Sequence, residues 1–115
     1  MTLREARCRF TECLALLVQE ATRLGYEIAF AEGMDRVTQK DTTTDHMPNS
    51  LHELGLAQDV DLYKAGIYLR DTADHAILGQ FWKDLGVSRG LPLTWGGDFS
   101  RPDGNHYSLK WNGRA

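Results

Sequence analysis

From Ser50 to Asp59 the chain reads Ser-Leu-His-Glu-Leu-Gly-Leu-Ala-Gln-Asp, and no other stretch constrains the fold as much. A reversal at Gly55 followed by an extended run can bring His52, before the turn, and Asp59, after it, to one point. In the expected strand Ala57, Asp59 and Asp61 share one face while Val60 and Leu62 share the other, so Asp59 is turned away from the apolar side. A second histidine, His106, must reach the same point from a neighbouring strand. Leu93-Thr94-Trp95 and His106-Tyr107-Ser108-Leu109 read as the last two strands, joined by a loop rich in Gly, Asp and Pro.

The remaining pattern places these strands in an α+β chain. Thr2 with Glu5 forms a capping-box pattern, and Phe10, Cys13, Leu14, Leu17, Val18, Ala21 and Leu24 recur at helical spacing, giving an N-terminal helix over 1–25. Tyr26, Ile28 and Phe30 alternate as in a short strand. From Gly33 to Asn49 the sequence is polar and without period: an active-site rim loop, or else an insertion with no fixed structure. Lys64-Ala65-Gly66 reads as a hairpin turn into Ile67-Tyr68-Leu69. Asp71 or Thr72 can cap a second helix whose stripe is Ile77, Leu78, Phe81, Trp82 and Leu85, with Gly86 as its stop. The expectation is one domain over 1–115, a small antiparallel sheet packed with helices, with 42% hydrophobic residues to build a core without staples.

Several function classes are disfavoured. A net charge of -3 leaves no basic footprint for nucleic acid. No apolar run of about 18 residues offers a membrane span, and the N-terminus lacks the apolar core of a secretory signal, so synthesis in the cytoplasm is expected. Cys8 and Cys13 lie five apart in one helix, point to different faces and lack a CxxC spacing, which suggests free, buried thiols in a reducing compartment.

The chemistry that remains is that of a metal. Two imidazoles and a carboxylate can fill three tetrahedral positions around one Zn²⁺ and leave the fourth open, as in catalytic rather than structural zinc sites. Asp103, three residues before His106, is the candidate base, and Arg36 on the long loop is a candidate positive group for a developing oxyanion or else a surface ion-pair partner. Each assignment has an ordinary alternative. A single histidine is often only a hydrogen-bonded residue, and His46 and His75 are read as non-catalytic. Asp61 is read as a solvated or ligand-supporting carboxylate, Asp98 as orienting a ligand or capping the Gly97 turn, and Trp95 as core before substrate platform.

The two segments together resemble the zinc peptidases that include D-alanyl-D-alanine carboxypeptidases and L-alanyl-D-glutamate endopeptidases. The pattern Ser-x-His-x-x-Gly-x-Ala-x-Asp is matched without gaps by Ser50, His52, Gly55, Ala57 and Asp59, and the second half by Trp95-Gly96-Gly97-Asp98-Phe99 and by Asp103 with His106. The resemblance covers roughly Glu27 to Leu109. It implies a hedgehog/D-Ala-D-Ala peptidase-like fold, with one zinc per chain held by His52, Asp59 and His106. Asp103 would be the general base and acid, and Arg36 would stabilise the scissile carbonyl. Around Arg36 the chain reads Met34-Asp35-Arg36-Val37-Thr38-Gln39, which departs from the family's aromatic-Arg-Ser/Thr cluster. Asp103 in place of Glu tilts toward the endopeptidase branch. The 45–52 and 102–107 segments look most like phage endolysins, implying a monomer that cuts peptidoglycan stem peptides at the cell wall after a holin releases it. The alternatives are a bacterial D-alanyl-D-alanine carboxypeptidase or dipeptidase, and a metal-bound binding module without turnover.

Overall fold

The computed structural model describes residues 1–31 and 50–115; Arg36, His46 and the expected rim loop 33–49 lie outside them. Helix α1, Leu3–Arg23, begins with the reciprocal cap that Thr2 and Glu5 forecast: Glu5 N donates to Thr2 Oγ1 at 3.1 Å and Thr2 N to Glu5 Oε1 at 3.2 Å. Ala6, Phe10, Cys13, Leu17 and Ala21 form its buried stripe. Both cysteines are free, but only Cys13 is buried; Cys8 is exposed, on the side of the helix away from the core stripe.

Strand β1 is Glu27–Phe30 and β2 is Ala57–Lys64. A two-residue turn, Ala65-Gly66, with positive φ at both positions, leads into β3, Ile67–Leu69. Asp71 then caps a 3-10 turn, Thr72–His75, which runs on into α2, Ala76–Arg89. The expected stop at Gly86 is not where α2 ends. The helix continues to Gly90, whose φ of 65° places it in the left-handed region that a glycine enters without a Cβ penalty. Gly86 has a packing role instead, since a Cβ there would stand 2.9 Å from the Leu91 carbonyl oxygen and 3.0 Å from Leu93 Cβ. Ile77 also leaves the expected stripe, being 60% exposed; Leu78, Gly79, Trp82 and Gly86 are the buried residues.

Strands β4, Leu93–Trp95, and β5, His106–Leu109, have the bounds the sequence suggests. All pairings are antiparallel in the order β1-β2-β5-β4, with β3 against the far end of β2. The register divides the sheet into two faces. Val60, Leu62, Trp95, Tyr107 and Leu109 lie on the face covered by the helices, where Trp82 meets Phe10 and Tyr107 edge-on at 5.8 Å each. The Trp82 indole N–H donates to the carbonyls of Thr94 and Ser108, so α2 is bonded to the sheet as well as packed on it. Ala57, Asp59, Asp61, His106 and Ser108 lie on the opposite face. Of the two readings of Asp61, the solvated one does not hold: it is 2% exposed, and the Tyr68 hydroxyl donates to its Oδ1 at 3.4 Å. The fold is a small α+β domain with an antiparallel sheet packed against helices.

Candidate metal centre

The first ligand position comes from a tight turn ahead of β2. Ser50 opens it, its hydroxyl accepting from Glu53 N at 3.4 Å and its carbonyl from Leu54 N at 3.2 Å. Leu51 and Leu56 anchor its two ends in the core, and Leu56 N closes it on the Leu51 carbonyl at 2.8 Å. Gly55 takes a φ of 74° and donates to the His52 carbonyl, fixing the backbone from which the imidazole projects. Thus Ser50 and Gly55 shape the turn and His52 uses it.

The other two positions are a product of sheet register. Asp59 stands directly opposite His106. The Asp59 carbonyl accepts from Ala31 N at 3.0 Å on the β1 side, so Asp59 and His106 form a non-hydrogen-bonded cross-strand pair, the kind whose side chains approach most closely. His52 Nε2 lies 3.7 Å and His106 Nδ1 3.4 Å from the same oxygen, Asp59 Oδ1. These are long for hydrogen bonds. They are near the separation of ligand atoms along the edges of a tetrahedron around one ion, which bonds of roughly 2.0–2.2 Å place about 3.3–3.6 Å apart.

Among the described residues, His52, Asp59 and His106 form the one group of three such side chains that could hold a metal, with ligand atoms within 4.8 Å of one another. Asp59 Oδ1 is buried and accepts no hydrogen bond among the described residues. A carboxylate oxygen in that state is costly unless a cation compensates it, so the donor set fits a metal ion. Side-chain exposures of 11% for His52, 25% for Asp59 and 8% for His106 put the open side at the carboxylate. The two imidazoles meet at 5.2 Å with planes 70° apart, and Phe99 flanks His106 at 5.4 Å. His106 Nε2 has no hydrogen-bond partner among the described residues; ring packing steadies this imidazole.

Asp103 sits on the loop between β4 and β5, close enough to Asp59, His106 and His52 to feel the charge of each. Although the residue reaches solvent, partial burial and then the Asp59 carboxylate hold its carboxyl above the ordinary range, while the histidines pull the other way. The Trp-Gly-Gly-Asp segment explains how that loop is held. The Trp95 indole is buried and donates to the Gly104 carbonyl at 2.8 Å. A Cβ at Gly79 or at Gly97 would run into that ring, at 2.2 and 2.3 Å, and a Cβ at Gly96 would stand 2.2 Å from the Asp103 carbonyl oxygen. Asp103 N donates to the Gly96 carbonyl and His106 N to the Asp103 carbonyl. Trp95 is therefore core, as expected. Asp98 forms an ion pair with Lys83 at 2.9 Å, tying this loop to α2.

His75 is buried and shares a 2.9 Å hydrogen bond between its Nδ1 and the Tyr107 hydroxyl. It lies on the helical side of the sheet, apart from His52, Asp59 and His106. Sequence reasoning missed Thr72, whose Oγ1 accepts from Gly104 N at 3.1 Å, and Gly79, which makes room for Trp95. A glycine inside a helical stripe costs about 1 kcal/mol against alanine, which is a legible sign of a packing demand; Thr72 carries no such sign.

No family model matches the chain, and no curated protein matches it. Among solved structures, the chain is similar to the L-Ala D-Glu endopeptidase ChiX of Serratia marcescens, with a TM-score of 0.60 over 82% of this chain and 75% of that one. At 22% identity the likeness is one of fold.

Proposed function

We propose that this chain is a zinc-dependent peptidase of bacterial peptidoglycan, an L-alanyl-D-glutamate endopeptidase of the phage-lysis kind. The observation that carries the reading is the convergence of His52, Asp59 and His106 on one point, with Asp103 beside it. The fold shared with an L-Ala D-Glu endopeptidase supports the substrate class. His52 Nε2, Asp59 Oδ1 and His106 Nδ1 would hold the ion. Zinc bound there supplies Lewis acidity, bringing the pKa of a water toward about 7 and polarising the scissile carbonyl.

The residues of the chain do the rest. Asp103 takes the proton released as the water oxygen bonds to the carbonyl carbon, and passes it to the amine nitrogen as the C–N bond breaks. The tethers through Trp95, Gly96 and Thr72 keep that carboxylate in reach, and the open side at Asp59 admits the peptide. Arg36, if it stabilises the carbonyl as the family resemblance implies, would act from outside the described residues. The enzyme would be made in the host cytoplasm and act at the wall after release.

Digestion of purified cell walls by the zinc-loaded protein, with mass spectrometry of the released fragments, tests the reading. New N-terminal D-glutamate is the expected product. Free D-alanine or a D-alanyl dipeptide would assign the carboxypeptidase or dipeptidase activity instead, and no cleavage of any wall preparation would overturn the peptidase reading.

A further inference from the structure

Helix α1 carries a second constellation, outside the metal ligands. Arg4, Arg7, Cys8 and Thr11 follow the spacing of one helix face, and with Gly55 they line a cleft of about 400 Å³. The other two arginines of α1 are neutralised within the helix: Arg9 meets Glu12 at 2.8 Å and Arg23 meets Glu20 at 2.6 Å. Arg4 and Arg7 have no carboxylate within ion-pair distance among the described residues, in a chain whose net charge is -3. Glu5, the nearest acid in sequence, is committed to the Thr2 cap. The first turns of a helix add positive potential of their own. The cleft is thus cationic where the rest of the chain is balanced or acidic.

One wall of the cleft is also part of the turn that carries His52. A Cβ at Gly55 would stand 2.8 Å from Arg7 Nε and 3.5 Å from Arg7 Cζ, so the guanidinium lies against the backbone of that turn. Gly55 N in turn donates to the His52 carbonyl. A guanidinium presents paired N–H donors that match the two oxygens of a carboxylate, and two of them on one helix face can hold such a group from both sides.

We propose that this cleft is a carboxylate subsite for the polymer on which the metal centre acts, in which Arg4 and Arg7 grip a free carboxyl group of a stem peptide away from the bond that is cut. The assignment rests on the peptidase reading for the identity of the polymer. Peptidoglycan stem peptides carry free carboxylates, so the ligand chemistry is present on that substrate. Loss of either arginine weakens the grip on the polymer.

Cys8 supplies a reporter that is independent of turnover, because it is exposed in the cleft while Cys13 is buried. Alkylation of Cys8 in the full-length zinc-loaded protein is followed by mass spectrometry. The probes are soluble muropeptides with free carboxylates, the same muropeptides with those carboxylates amidated, and inorganic phosphate. The free acids should slow alkylation several-fold; the amidated fragments and phosphate should not. In Arg4→Gln and Arg7→Gln variants the protection should vanish, and KM on walls should rise about tenfold per arginine, as for a lost charge-assisted contact, with kcat and zinc content unchanged in Arg4→Gln.

Unchanged alkylation with the free acids, or equal protection by their amidated forms, would overturn the subsite, and equal protection by phosphate would overturn its assignment to a carboxylate. Protection of Cys8 without wall cleavage would leave the subsite standing and remove the peptidase reading. Cleavage without protection would do the reverse.

Discussion

On the proposed function, Asp103 and His75, two titratable residues of one small domain, have different work. Asp103→Asn keeps the shape of the loop but cannot accept a proton, so wall hydrolysis should fall by about 10²- to 10⁴-fold, the usual weight of a general base, while elemental analysis still finds zinc. Asp59→Asn should instead lose the metal, because it removes the negative charge that the ion and two neutral imidazoles require. His75 contributes to the behaviour in acid. Burial lowers its pKa below the ordinary value of 6.5, with Asp74 opposing. The unfolded chain therefore binds this proton more readily than the native state does. Stability from this residue is fully present above pH 6.5 and declines as pH falls from there toward the lowered native value. Urea melts between pH 7 and 5 should show that decline, and a His75→Gln variant should show a smaller one.

At the level of elements, the Asp103 loop depends on a stack of a helix, an indole and a glycine pair. Gly79→Ala improves the intrinsic helix propensity of α2 yet drives a methyl into the Trp95 ring, and the overpacking should win by about 1–3 kcal/mol in thermal or chemical denaturation. Activity should drop along with stability, since Trp95 is what holds the Gly104 carbonyl. The same region shows what a sequence can disclose. The cap of α1, the hairpin at Ala65-Gly66 and the bounds of β4 and β5 are legible because turn chemistry and apolar period are local properties. The end of α2 is not, because Gly86 looks the same whether it stops a helix or lets a following strand pack against it. Which of the two readings of Asp61 holds is not legible for a similar reason: alternation tells which face a residue takes, and says nothing of what the Tyr68 hydroxyl will bring to it. The grouping of His52, Asp59 and His106 is suggested by their spacing and family resemblance, while the role of Thr72 exists only once the sheet and helix are assembled.

Taken as a whole molecule, the domain gathers its donor set from a turn and two strands that lie far apart in sequence, and no helix among the described residues is long and apolar enough to cross a membrane. Binding of an ion only by the native state should raise stability, by about 2.7 kcal/mol at a hundredfold excess over Kd, and a chelator should lower Tm accordingly. The gain should shrink in acid, where protons compete with the ion for the imidazole nitrogens. The pairing of Asp59 with His106 gives this coupling a definite location. An ion shared by two facing residues of β2 and β5 acts as a clasp across the seam between them. Opening that seam would then require the ion to leave first. Amide exchange at Val60, which donates to the Asn105 carbonyl, and at Leu109, which donates to that of Leu56, should slow on adding zinc. Exchange in the first turns of α1 should not change. On the proposed function, the same atoms would both prepare a peptide bond for hydrolysis and keep the two strands from parting.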